Sequence, residues 1–311
     1  TLSWSFTIQA FWKMLLAEGE KVVMMMVGSL DDQGVYGMVS NLGSLLVRIV
    51  LQPFEESAFQ TFSRAASVSS SAHDGAKREL DVRTRATMLS TLVKLALLGG
   101  LVIAAFGQSY AYLLIRLLYG RRWSDGTDAA AVLSLYCGYV LLLAVNGITE
   151  AYVHSVSSAR ELRQANKWLL VFSLCNLGAG VVLQSLAGAK GLVLANCINM
   201  LLRVAYSFAF IGRQFRGVPE SGEIGTWVPK TGVLAALAAT AGTSAVANLL
   251  FRRLADTHFL YAAAAHILVG AVGVLVFGAS VWKLERSFCL QLSALRRGVA
   301  LPQQSGAQKT Q

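Results

Sequence analysis

The constraint that dominates this chain is the repetition of apolar runs long enough to cross a lipid bilayer. A helix needs about 20 predominantly apolar residues to span the hydrocarbon core. By that measure the sequence predicts spans near 6–29, 34–63, 86–106, 127–156, 164–186, 190–212, 230–251 and 260–283. Hydrocarbon offers no water to satisfy backbone N–H and C=O groups, so such runs must be helical. The expected fold class is therefore all-α, a polytopic membrane protein with about eight transmembrane helices. The segment 108–119, AYLLIRLLYG with its flanks, is shorter. It reads as an amphipathic interfacial helix before the loop Gly120-Arg121-Arg122-Trp123. The end of the chain, from about 287, is polar and reads as a loose cytosolic tail.

Composition agrees: 55% of residues are hydrophobic, 14% are charged, and the mean hydropathy is +0.54. A soluble domain carries about 25% charged residues. The net charge of +10 would suit nucleic acid, but the basic residues gather in short loops between apolar runs. Sixteen Lys and Arg fall in alternate loops and tails, against six (Arg116, Arg121, Arg122, Lys190, Arg252, Arg253) in the opposite set. This asymmetry orients a membrane protein and predicts cytosolic termini, with the turn Asp31-Asp32-Gln33-Gly34 on the far side. It argues against a nucleic-acid partner and for a lipid bilayer. The 28 glycines let membrane helices approach closely. Cys137, Cys175, Cys197 and Cys289 form no CxxC pair and read as small buried residues. No N-glycosylation sequon occurs. The chain begins Thr1-Leu2-Ser3, without an initiator Met or a signal-peptide pattern, and reads as a fragment lacking its N-terminal part.

Charges inside the spans carry the functional signal, because an ionisable group at membrane depth is costly and faces a cavity or partner. The first span holds Glu18-Gly19-Glu20-Lys21, where Glu18 and Lys21 share a face and Glu20 needs another partner. These residues read either as an interior cluster or as an interfacial helix end. In the second span Asn41, Ser44, Arg48, Gln52 and Glu55 recur at spacings of three and four and form one stripe. Arg48 lies about 20 Å along the helix from Gly34, too deep to snorkel easily. Pro53, beside Glu55 and Glu56, should kink this helix and act as a hinge. The alternative is a structural salt bridge between Arg48 and Glu18 or Glu20. The fourth span carries Asn146, Glu150 and His154 at intervals of four, with His154 read as a solvated end residue. The sixth carries Asn196, Asn199 and Arg203. The asparagines read as bridges between helices, and Arg203 as a cation for an anionic ligand. The last two spans are nearly free of charge and read as peripheral.

Arginines on a polar cavity suit phosphate or pyrophosphate, whose oxygens match the guanidinium fork. No GxxxxGK[ST], GxGxxG or HExxH motif occurs, so neither a nucleotide, a cofactor nor a metal is expected. No nucleophile–base constellation suggests an enzyme.

The stretch EGEKVVMMMVGSLDDQGVYGMVSNLGSLLVRIVLQPFEES at 18–57 and YVLLLAVNGITEAYVHS at 139–155 resemble signatures of a known family. Its members are eukaryotic endoplasmic-reticulum proteins implicated in translocating Man5GlcNAc2-PP-dolichol. The family sits within the multidrug/oligosaccharidyl-lipid/polysaccharide exporter superfamily. The resemblance runs from about 6 to 215.

It implies a second six-helix lobe at 1–215, two additional peripheral helices at 216–286, and the tail at 287–311. A first lobe would be absent. The family's motifs match Glu18, Glu20, Asn41, Arg48, Pro53, Glu55 and Glu56, and Asn146 to Ala151. Arg203 is placed by helix position alone. The implied function is movement of the lipid-linked oligosaccharide from the cytosolic to the luminal leaflet for N-glycosylation. Arg48 and Arg203 would engage pyrophosphate, and Glu18 and Glu20 would pair with them in the empty state. Two alternatives remain. One is a non-transporting helper that binds the same lipid and associates with glycan-assembly enzymes. The other is a cation-coupled drug antiporter using Glu18 or Glu150.

Overall fold

In the computed structural model the described residues are 19–70, 75–215, 227–255 and 257–297. Among them every regular element is helical: α1 (Gly19–Val27), α2 (Leu30–Leu46), a π-helical stretch (Val47–Leu51), α3 (Gln52–Ser70), α4 (Gly75–Tyr119), α5 (Arg121–Asp125), α6 (Ala129–Val156), α7 (Ala159–Gln214), α8 (Thr231–Leu254), α9 (Phe259–Leu284) and α10 (Arg286–Arg297). Six runs are long and apolar enough to cross a membrane, counting α2, the π stretch and α3 as one. This is the all-α polytopic membrane architecture that the apolar runs require.

One of the six is two spans. Within α7 the backbone leaves helical geometry at Ala187 (φ −138°, ψ 16°) and Gly188 (φ 56°, ψ −138°). The positive φ is open to Gly at little cost because it has no Cβ. The chain reverses there. Asn176 of the first arm donates to Asn196 of the second at 3.2 Å, and the Phe172 and Tyr206 rings lie 6.4 Å apart. The arms 159–186 and 189–214 correspond to the expected spans at 164–186 and 190–212. The start of the first arm is fixed by a capping box between Ser158 and Glu161.

Three expectations are corrected. Residues 108–119 are the last turns of the unbroken helix α4 rather than a separate element. Ala111, Tyr112, Leu113 and Ile115 are buried there against other helices. The tail is not loose throughout, since 286–297 form α10, with Phe288 buried and Cys289 and Leu292 packed on α4, α8 and α9. The turn before the second span is Gly28-Ser29, because Ser29 caps α2 by accepting from Asp32 N–H at 3.1 Å. Asp31 and Asp32 thus occupy the first helical turn, where the macrodipole favours them. The expected span 6–29 and the segment 298–311 lie largely or wholly outside the described residues.

Helix α6 is the hub. Buried residues run along its length, from Ala129 and Val132 to Tyr152 and Val153. Towards one end Tyr136 and Val140 join Tyr36, Val39, Ile115, Leu192 and Val193. Towards the other, Ile148 and Tyr152 join Phe62, Leu89, Ile211 and Trp227. Helices α2, α3, α4 and α7 therefore surround α6. Helices α8 and α9 pack together on the opposite side of α4, through Phe106, Leu237 and Phe277 and through Tyr112, Phe251 and Ala262.

One end of the bundle is tied by polar contacts between loops. Asp32 accepts from Ala189 N–H at 3.1 Å, Lys190 meets Asp128 at 2.8 Å, and Arg116 meets Asp125 at 3.1 Å. Arg252 covers the Tyr112 ring at 4.4 Å. These are the positions that the loop-charge count groups on one side, so that set of loops lies together at one end of the bundle.

Candidate functional site

The polar residues of three helices meet beside α6. Asn146 and Glu150 are one turn apart on α6, and Arg203 comes from the second arm of α7. Arg203 Nη2 donates to both carboxylate oxygens of Glu150, at 2.7 and 2.6 Å. Asn146 Nδ2 donates to Glu150 Oε2 at 2.8 Å, and His154 Nε2 lies 3.5 Å from Oε1. The Glu150 and Arg203 side chains keep 17% and 27% of their exposure, so the pair borders an open space rather than the packed core.

Glu55 approaches the same point from α3. Its carboxylate rests on the α6 backbone at Gly147, where an added Cβ would stand 2.9 Å from Glu55 Oε2. Gly147 is therefore the position that admits the carboxylate. The result is two carboxylates, an imidazole, an amide and one guanidinium along about two turns of α6.

The guanidinium is incompletely used. Glu150 engages only Nη2, and Arg203 Nε is buried without a hydrogen-bond partner among the described residues. Asn146 Oδ1 and Asn199 Oδ1 are unpartnered in the same way. Buried polar atoms of this kind are uncommon, and each calls for water, an ion or a ligand. Arg203 sits about 22 Å along α7 from the turn at Gly188, by helical rise.

Arg48 lies on the π stretch, is exposed, and has no ion pair or hydrogen bond among the described residues. Asn41, Gln52, Glu55 and Glu56 are exposed on the same run, and Gln52 donates to Glu56 at 3.2 Å. The stripe expected in this span is therefore exposed at Asn41, Arg48 and Gln52, and at its end Glu55 turns onto Gly147. The kink device differs in detail from the expectation. Gln52 N–H bonds to Val47 O, a five-residue closure, in the stretch just before Pro53. Proline offers no N–H to continue the ladder, and the wider π turn takes up the mismatch.

Glu18 lies outside the described residues, and Glu20 and Lys21 sit on α1 with side chains outside them. Among the described residues the carboxylate that holds Arg203 is Glu150, in place of the expected Glu18 or Glu20. His154, read from sequence as a solvated end residue, belongs to the cluster. Its spacing of four from Glu150 was the available signal. Asn196 does bridge helices as expected, donating to Tyr36 OH at 3.2 Å and accepting from Asn176.

Sequence reasoning missed a second buried pair. Lys94 of α4 meets Glu285, at the end of α9, at 3.3 Å, with side-chain exposures of 10% and 2%. Glu285 also accepts from Lys230 N–H at 2.7 Å. No group of three His, Cys, Asp or Glu converges as a metal cage among the described residues.

The chain has relatives among known proteins. A family model described as "Rft-1: Rft protein" matches residues 1–294. The "Man(5)GlcNAc(2)-PP-dolichol translocation protein RFT1" of Mus musculus is 39% identical over 221 residues, 70% of this chain and 40% of that protein. The protein of that name from Xenopus tropicalis is 36% identical over 283 residues, 90% of this chain and 51% of its own length. The one from Saccharomyces cerevisiae is 30% identical over 210 residues, covering 67% and 35%. The chain thus spans about a third to a half of the length of these relatives. No solved structure matches it.

Proposed function

The chain belongs to the Rft-1 family, and from that premise we propose that it forms the second lobe and C-terminal helix pair of a carrier for Man5GlcNAc2-PP-dolichol. The carrier moves this lipid-linked oligosaccharide across the endoplasmic-reticulum membrane and catalyses no covalent change. The observation that supports this reading is the half-engaged guanidinium of Arg203, held by Glu150 with Nε unpartnered. A pyrophosphate presents several anionic oxygens, and a guanidinium can bind two of them side by side. Arg203 would bind ligand oxygens as they take the place of Glu150, and Arg48 would supply a second cation from the exposed stripe. Asn41, Gln52, Glu56 and Asn146 would line the path. Lys21, Glu18 and Glu20 would complete it from the first span.

In the empty state Glu150 neutralises Arg203, and Glu55 stands ready against the same turn. Ligand oxygens would compete with Glu150 for the cation. The strong basic bias of one set of loops orients that end to the cytosol, and the end holding Asp32, Arg116 and Lys190 to the lumen. Pro53 and the π stretch before it would serve as the hinge.

The test is transbilayer movement of the dolichol-linked oligosaccharide in vesicles carrying the natural full-length protein. Wild type should move the lipid, and Arg203→Gln and Arg48→Ala should not. Binding that both variants weaken, without movement by wild type, would replace the carrier with a helper that only holds the lipid. Undiminished movement by both variants would remove the arginines from the site.

A further inference from the structure

A second cluster of cations lies on the exposed face of the first arm of α7, outside the Glu150–Arg203 clasp. Arg160, Arg163 and Lys167 follow one another at spacings of three and four, so they share one face of the first arm. All three are exposed, and none has an ion pair among the described residues. The nearest carboxylate in sequence, Glu161, is committed to the capping box, accepting from Ser158 N–H at 2.8 Å and from its hydroxyl at 2.7 Å. With Gln164, Trp168 and Val171 the three cations line a groove of about 560 Å³. Like charges one turn apart weaken a helix, so a bound anion would relieve this stretch.

The residues that follow identify the anion. Trp168 is 45% exposed and stacks on Phe172 with ring centroids 6.0 Å apart. Beyond it Leu170, Val171 and Leu174 are 48%, 45% and 55% exposed. Along about 21 Å of helix the surface therefore passes from cations to an amphipathic indole to bare aliphatic side chains. A phospholipid has the same order: phosphate, ester region, acyl chain. Tryptophan favours the headgroup level, and guanidinium favours phosphate.

We propose that Arg160, Arg163, Lys167 and Trp168 form a binding site for the phosphate headgroup of an anionic membrane phospholipid, with its acyl chain along Val171 and Leu174. The site is independent of the carrier reading and of Arg203.

The test uses the natural full-length protein equilibrated with phosphatidylcholine and phosphatidylserine, with bound lipids counted by native mass spectrometry. Wild type should retain phosphatidylserine. The variant Arg160→Gln/Arg163→Gln/Lys167→Gln should retain at least about tenfold less, while Arg160→Lys/Arg163→Lys and Arg203→Gln retain it. Equal retention by the neutralised variant overturns the proposal. A second measurement needs no variant: acylation of Lys167 by a water-soluble reagent in nanodiscs. Labelling in phosphatidylcholine alone that falls when phosphatidylserine is added supports the site. No labelling in phosphatidylcholine means that protein covers this face, and protection by inorganic phosphate alone means a soluble anion. Either result overturns the lipid assignment.

Discussion

A single nitrogen of Arg203, Nη2, holds both carboxylate oxygens of Glu150, at 2.7 and 2.6 Å. A fork-to-fork pair would have used two nitrogens and consumed the edge of the guanidinium that best matches an anion. The geometry seen here anchors the side chain through Nη2 alone and leaves Nε without a partner among the described residues. Anchoring and ligand binding are therefore separable by mutation.

Arg203→Gln should weaken binding of the lipid-linked oligosaccharide by roughly ten- to a hundredfold, the worth of a hydrogen bond to a charged group. The swap Glu150→Arg/Arg203→Glu should restore folded yield relative to either single change, because a cation and a carboxylate still face each other. It should not restore binding, since the cation would then project from α6. Titrating purified variants with the lipid and comparing their size-exclusion profiles separates the two effects.

Arg48→Ala should behave differently. Its side chain is exposed and has no partner among the described residues, so truncation should change stability by no more than about 0.5 kcal/mol. The melting temperature in detergent should match wild type while lipid movement is lost. A large drop in melting temperature would mean that Arg48 has a structural partner on the first span.

Lys94→Met leaves Glu285 buried without its cation. Removing one member of a buried pair costs about 3–5 kcal/mol, so thermal unfolding should shift down strongly. Lys94→Met/Glu285→Gln should recover much of the loss, because the amide oxygen can still accept from Lys230 N–H. A double-mutant cycle on melting temperatures measures the coupling. Near-zero coupling would show that the pair is incidental.

Gly188→Ala should destabilise the α7 hairpin by about 1–3 kcal/mol, the cost of holding a residue with a Cβ at a positive φ with extended ψ. The added Cβ would also stand 2.5 Å from Asp32 Oδ1. Proteolysis between the arms, compared with wild type, reads this directly. An unchanged cleavage rate would mean that the turn tolerates a rearranged backbone.

The architecture was largely legible in the sequence, because span length and loop charge are imposed by the bilayer rather than by tertiary detail. The division of α7 at Gly188 followed from hydropathy alone. The extension of α4 to Tyr119 was not legible. Arg116 looked like an interfacial residue, whereas it folds back onto Asp125 and Tyr112 and lets the helix continue. The site was half legible. Periodicity picked out Asn146 and Glu150, and helix position picked out Arg203, but no spacing rule pairs residues on different helices. Arg48 was matched to carboxylates of the first span, and Glu150 was left without its actual partner. Lys94 escaped notice because a lone lysine in an apolar run carries no signal until its distant acceptor, Glu285, is placed beside it.

The π stretch Val47–Leu51 carries one residue more per turn than the helices on either side. Such a surplus can pass to the adjoining turn by exchanging single hydrogen bonds, without opening a loop. Each step rotates everything on one side of it by about 100° relative to the other. Arg48 sits inside the surplus and Glu55 just beyond it. A small shift in its position would therefore swing the exposed cation around the helix while the carboxylate stays seated on Gly147, a crank that turns within a continuous rod.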